Sequence, residues 1–135
     1  MAILLVGNMQ SILFRQRCKV ISESVHPKAV TVFDTGRKKN RLFHTVISAF
    51  FFAFRFAGSA NTHTVVFHGA YSPVFWLVTL LGNVRTYSVI QGSELNTDFH
   101  GWRAWVVRTI LRRSQIVACR NQVQCDEAVR LCGVP

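Results

Sequence analysis

The chain is expected to fold as an α/β domain, a parallel sheet wrapped by helices on both faces, and three observations carry that expectation. Short apolar, strand-like runs alternate with longer helix-like segments from one end to the other. Glycine and asparagine stand where the elements should turn, at Gly7-Asn8, Gly36, Gly58, Gly82-Asn83 and Gly101. At 135 residues with a hydrophobic fraction of 50%, there is material for one core of two or three layers.

In order, Ile3 to Val6 reads as the first strand, since Met1 to Val6 lacks the basic start, long apolar stretch and small-residue cleavage site of a signal segment. Ile12 to Glu23 is helix-like and Val30 to Phe33 is the second strand. The segment from Arg41 to Phe56 is a helix, rich in phenylalanine at Phe50-Phe51-Phe52 and Phe54, and it follows the basic residues Arg37, Lys38, Lys39 and Arg41. Its apolar part, Leu42 to Ala57, would measure about 24 Å, short of the roughly 30 Å hydrocarbon core, and carries His44 and Arg55. A buried or interfacial helix is expected there, not a spanning one. Strand Thr64 to Phe67, helix Pro73 to Leu81, strand Thr86 to Ile90, helix Gly101 to Arg113, strand Ile116 to Cys119 and helix Val123 to Leu131 complete the series. With no internal repeat, low-complexity tract or Ser/Pro-rich linker, residues 1 to 135 read as a single domain.

Sixteen Lys and Arg against six Asp and Glu give a formal net charge of +10, which attracts phosphates, acidic lipid headgroups or nucleic acid. Cys18, Cys119, Cys125 and Cys132 form no Cys-x-x-Cys pair, so buried thiols in a reducing cytoplasm are expected instead of a zinc or dithiol site. On the helix from Gly101, Arg108 and Arg112 share a stripe bordered by Trp105, while Trp102, Val106 and Ile110 turn elsewhere. That strip is either a solvated face or a patch for anionic lipid headgroups.

Several familiar sites are missing. There is no phosphate-binding Gly-x-x-x-x-Gly-Lys-Ser/Thr loop, no Gly-x-Gly-x-x-Gly, no His-Glu-x-x-His and no Gly-x-Ser-x-Gly. Gly7 and Asp34 together are too little for a nicotinamide fingerprint. What remains is the pair of strand-loop-helix transitions between Val65 and Asn96. The first runs Val65-Val66-Phe67-His68-Gly69-Ala70-Tyr71-Ser72-Pro73 and the second Tyr87-Ser88-Val89-Ile90-Gln91-Gly92-Ser93-Glu94-Leu95-Asn96. In open α/β sheets ligands gather at the carboxyl ends of strands, so His68, Gln91, Ser93 and Glu94 are the candidates for chemistry. Glu94 could act with Asp98 in acid/base work or cap the following turn, and His68 could be a single-bonded core histidine.

The second transition, with strand Ile116 to Cys119 and the closing Ala128-Val129-Arg130-Leu131-Cys132-Gly133-Val134-Pro135, resembles the amino-terminal domain of family 4 glycosyltransferases. In that family a strand commonly ends in His-Gly-Ser/Thr-Asp/Glu, the next ends near a serine, and a helix closes with Leu-Gly-Val-Pro. Phe67-His68-Gly69-Ala70-Tyr71 looks like its upstream histidine loop. The resemblance covers roughly Thr64 to Pro135. Gln91 stands where the family has a histidine, Cys132 interrupts the closing motif, and the first strand leads into Gly7-Asn8-Met9 where the family often has Gly-Gly.

The resemblance implies a GT-B fold, two facing Rossmann-like domains, of which this would be the amino-terminal, acceptor-side one. It implies transfer of a sugar from a nucleotide-sugar donor to a glycan or lipid-linked acceptor, as in polysaccharide assembly. Gly92 would let backbone approach the ligand, Gln91 and Ser93 would hydrogen-bond it, Glu94 would orient an acceptor hydroxyl, and His68 would line the cleft; Glu94 and His68 are the residues expected to be catalytic. No metal and no cofactor is expected on this domain; the donor site and its Glu-x7-Glu motif belong to a second domain that this sequence does not supply, so the chain alone is expected to be inactive. Lys38, Lys39, Arg41, Trp105, Arg108 and Arg112 are expected to meet the anionic inner surface of the cytoplasmic membrane. The competing expectation is a basic binding module without catalysis. Nucleic acid is the weaker partner for it, since no RNA-recognition or helix-turn-helix signature appears and aromatics do not alternate with basic residues.

Overall fold

The computed structural model describes residues 2–25, 29–35, 41–69, 73–91, 95 and 101–134. Among the described residues five strands and five helices alternate: β1 Ile3–Gly7, α1 Ile12–Ser24, β2 Val30–Asp34, α2 Arg41–Ala57, β3 His63–His68, α3 Pro73–Thr79, β4 Val84–Val89, α4 Gly101–Arg113, β5 Ser114–Ala118 and α5 Gln122–Cys132. The strands form one sheet in the order β2-β1-β3-β4-β5, every pair parallel. The fold is α/β and Rossmann-like, as expected.

Handedness explains how the helices divide. Right-handed crossovers put α1 on one face as the chain steps from β1 to β2, and put α2, α3 and α4 on the other as it returns past β1 and continues toward β5. Side-chain alternation follows suit. Leu4 and Val6 of β1 and Val65 and Phe67 of β3 are buried under Ala49, Phe52 and Phe56 of α2, Phe75 and Val78 of α3, and Val106 and Ile110 of α4. Ile3 and Leu5 point the opposite way, onto Phe14 and Cys18 of α1. Beside α4, a third cluster joins Ala128 and Cys132 of α5 to Val107, Leu111 and Ile90. Both faces carry helices, but unequally: on the α1 side Ile116 of β5 is 61% exposed.

The boundaries differ from the sequence reading by a residue or two, and polar contacts account for the differences. Helix α3 ends at Thr79, whose hydroxyl donates to the Trp76 carbonyl at 2.6 Å, and the chain tightens through Leu80 N–H to Leu77 O at 3.1 Å. Strand β5 starts directly after α4, two residues before the expected Ile116. The buried Ser114 hydroxyl there is within 2.9 Å of the Ile110 carbonyl and 2.7 Å of the Ser88 hydroxyl. At the opposite end of the sheet the Asn83 side-chain amide donates to the carbonyls of Phe56 at 2.7 Å and Ser59 at 2.8 Å, while the Asn83 backbone carbonyl accepts from His63 N–H at 2.8 Å.

Candidate functional site at the strand ends

Strand β1 is the point from which the chain departs in both directions, so the crevice between β1 and β3 at their carboxyl ends is the switch point of the sheet. Register places Gly7, the last residue of β1, opposite His68, the last of β3. Gly7 is there for space. A Cβ on it would stand 2.6 Å from the Phe14 ring, and that ring lies 5.2 Å, centroid to centroid, from the imidazole of His68. Asp34, ending β2, accepts from Met9 N–H at 2.9 Å, and Thr35 N–H donates to the Gly7 carbonyl at 2.8 Å, so the β1 loop is braced from the β2 side.

On the other side, β4 ends at Val89, opposite His68, and the chain carries on through Ile90, whose N–H donates to Ala118 O at 2.9 Å. Gly69 turns with a positive φ of 66° while its N–H donates to Val89 O at 3.2 Å. These bonds bring the two candidate loops together. The Gln91 side-chain amide nitrogen lies 2.7 Å from His68 Nδ1 and 3.4 Å from Nε2.

His68 is 4% exposed. Burial first, and the Arg17 guanidinium second, push its pKa down from 6.5 to about 4. The imidazole is therefore neutral near pH 7, and it is held against the Gln91 side chain through Nδ1. A neutral ring pinned by an amide suits hydrogen-bonding a hydroxyl. It is a weak proton acceptor at that pKa.

Of the other expected site residues, Gly92, Ser93 and Glu94 lie outside the described residues, as do Lys38 and Lys39. Arg41 opens α2, but its side chain is also outside them. Leu95 follows Glu94 and is buried with Val107 and Leu111. Trp105 packs on Trp76 with ring centroids 4.9 Å apart. Arg108 Nε donates to Leu131 O at 2.8 Å and Arg112 Nε to Cys132 O at 2.6 Å, so both guanidinium groups serve the carbonyl end of α5. The strip is thus partly occupied in holding α4 to α5.

Sequence reasoning did not find Gly7, Phe14 and Asp34 as the frame of the site, because the contacts that join them link three separate elements. Nor did it foresee that Cys119 and Cys125 come together. Burial first, and the neighbouring Cys125 thiol second, raise Cys119 to about 12. Cys18 and Cys132 are buried, while Cys119 and Cys125 are half-buried. Among the described residues no three His, Cys, Asp or Glu side chains gather as a metal-binding group, and no helix is long and apolar enough to cross a membrane.

No protein-family model matches the chain, and no curated protein or solved structure does.

Proposed function

We propose that this chain is the acceptor-side unit of a sugar-transferring enzyme, with the nucleotide-sugar donor held by a second Rossmann-like unit of GT-B type. The observation that carries the reading is the His68–Gln91 pair at the carboxyl ends of adjacent central strands, beside the switch point. A neutral imidazole and a primary amide together offer both donors and acceptors, the equipment for orienting a sugar hydroxyl without competing for its proton. In this reading Gly92 admits the ligand backbone-close, Ser93 adds a hydrogen bond, and the Glu94 carboxylate aligns the attacking hydroxyl. His68 orients; with a pKa of about 4 it is not the base at neutral pH.

Titration of isotopically labelled chain, followed by amide and imidazole resonances, tests this. Oligosaccharides and short-chain lipid-linked sugars are expected to shift His68 and Gln91, and Gln91→Ala should abolish the shifts. UDP-glucose and GDP-mannose should leave them in place. Shifts produced by the nucleotide sugars alone would overturn the assignment to the acceptor side, and silence toward every glycan would return the chain to the second reading.

That second reading is a basic, non-catalytic binding module, and the +10 charge favours it. Polynucleotide binding with a steep negative dependence on salt would mark a nucleic-acid module.

A further inference from the structure

We propose that the outward stripe of α2, formed by Phe43, Ile47, Phe50, Phe51 and Phe54, is a docking face for a bilayer with anionic headgroups, on which the helix lies in the interfacial plane. The proposal stands on α2 alone and does not depend on the sugar-transfer reading.

Helix α2 is apolar on two opposite sides. At 100° per residue, Thr45, Ala49, Phe52 and Phe56 form one stripe, and all four are buried against the sheet. The outward five form a second stripe centred about half a turn away, and they are 50 to 85% exposed. A helix apolar all round belongs in a core or against lipid, and here only one side has its core. Four of the five outward residues are phenylalanines, costly to leave exposed to water.

Three features select lipid over protein as the occupant. The stripe has no hydrogen-bonding group, whereas protein interfaces usually carry regular hydrogen bonds across them. The charges flanking it along the sequence have one sign: no Asp or Glu occurs between Asp34 and Glu94, while Arg37, Lys38, Lys39 and Arg41 precede or open the helix and Arg55 sits in its last turn. A second copy would bring two such cationic borders together in chains that each carry +10. The helix, about 25 Å long, is suited to lying along a membrane and not across it.

The test uses the 135-residue chain and vesicles of phosphatidylcholine, with and without phosphatidylglycerol. Co-sedimentation should be strong only with the anionic vesicles and should weaken with salt. Phe50→Ser/Phe54→Ser should lower it by at least about tenfold, since two phenylalanines no longer insert. Both positions are exposed, so the far-UV spectrum and melting should stay as in the parent. As a second readout, Phe54→Trp should show a blue-shifted emission increment, over the parent's, on adding anionic vesicles. Equal binding to neutral vesicles, undiminished binding of the double variant, or no increment from Phe54→Trp would each overturn the proposal. So would a concentration-dependent dimer abolished by Phe50→Ser/Phe54→Ser in a chain that leaves vesicles in suspension, which would assign the stripe to a second copy.

Discussion

Helices α2 and α5 are held in place by opposite means. Helix α5 buries little, chiefly Ala128 and Cys132, yet both its ends are closed by polar contacts. The Asn121 side chain accepts from Gln124 N–H at 2.9 Å, the Gln124 side chain accepts from Arg120 N–H at 3.1 Å, and Gly133 ends the helix in the left-handed conformation with its N–H on Val129 O. Arg108 and Arg112 complete the carbonyl end with charge of the sign the helix dipole favours there. Helix α2 rests on a stripe of large apolar side chains instead, and has another left over. The lesson is that small apolar area with full polar closure describes a structural helix, whereas apolar area in excess of what the sheet can cover describes a helix with business outside the domain.

The sharpest way to break this comparison is on the two stripes of α2. Phe56→Ala should destabilise the fold by about 3–5 kcal/mol, because it opens a cavity under the sheet. Phe54→Ala, on the outward stripe, should stay within about 0.5 kcal/mol. Chemical denaturation of the two variants measures both, and similar losses would erase the distinction between the stripes.

Acid should separate the strand-end site from α5. Because the folded pKa of His68 is lowered to about 4, the unfolded chain takes up its proton first as pH falls below 6.5. The contribution from His68 is thus constant above pH 6.5, declines from there to pH 4 by about 3 kcal/mol in total, and is level below. The caps of α5 do not titrate in that window. A melting series in His68→Asn should lack this part of the decline, and an identical pH profile in parent and variant would contradict the buried neutral ring.

Smaller effects are expected at the ends of α5. Gly133 has φ 62°, and a Cβ there would lie 3.2 Å from the Arg112 guanidinium, so Gly133→Ala should cost about 1–2 kcal/mol. Asn121→Ala should cost about 1 kcal/mol by removing the cap. If neither change lowers the melting temperature, polar closure is not what positions this helix.

The alternation of strands and helices was legible because it depends on local patterning, and the observed elements depart from it only where a distant partner intervenes. Strand β5 begins at Ser114 because that hydroxyl meets Ser88 of β4, a contact across 26 residues that no window of sequence contains. The same holds for the site. His68 and Gln91 could be placed at strand ends from their own segments, but their bond exists only because β3 and β4 pair in register. Phe14 was invisible as a site residue, since its contact with His68 needs the absence of a side chain at Gly7 on a third element. Arg108 and Arg112 were legible as a stripe, but not as donors to α5, whose last carbonyls come 20 or more residues later. The Cys119–Cys125 contact likewise arises from the reversal between β5 and α5, not from a recognisable spacing.

Asn83 gathers onto one short side chain the carbonyls that end α2 and begin the approach to β3, while its own backbone receives His63. The end of α2, the start of β3 and the turn before β4, the last of them 20 or more residues from the other two, therefore share one fastening, and opening any of them leaves the others' polar groups unmatched. The consequence is kinetic: the end of α2 and the starts of β3 and β4 should open to solvent together. Their amide protons should exchange at a common rate, distinct from that of the strand ends carrying His68. In Asn83→Ala this shared unit should divide, with the α2 terminus exchanging ahead of the sheet.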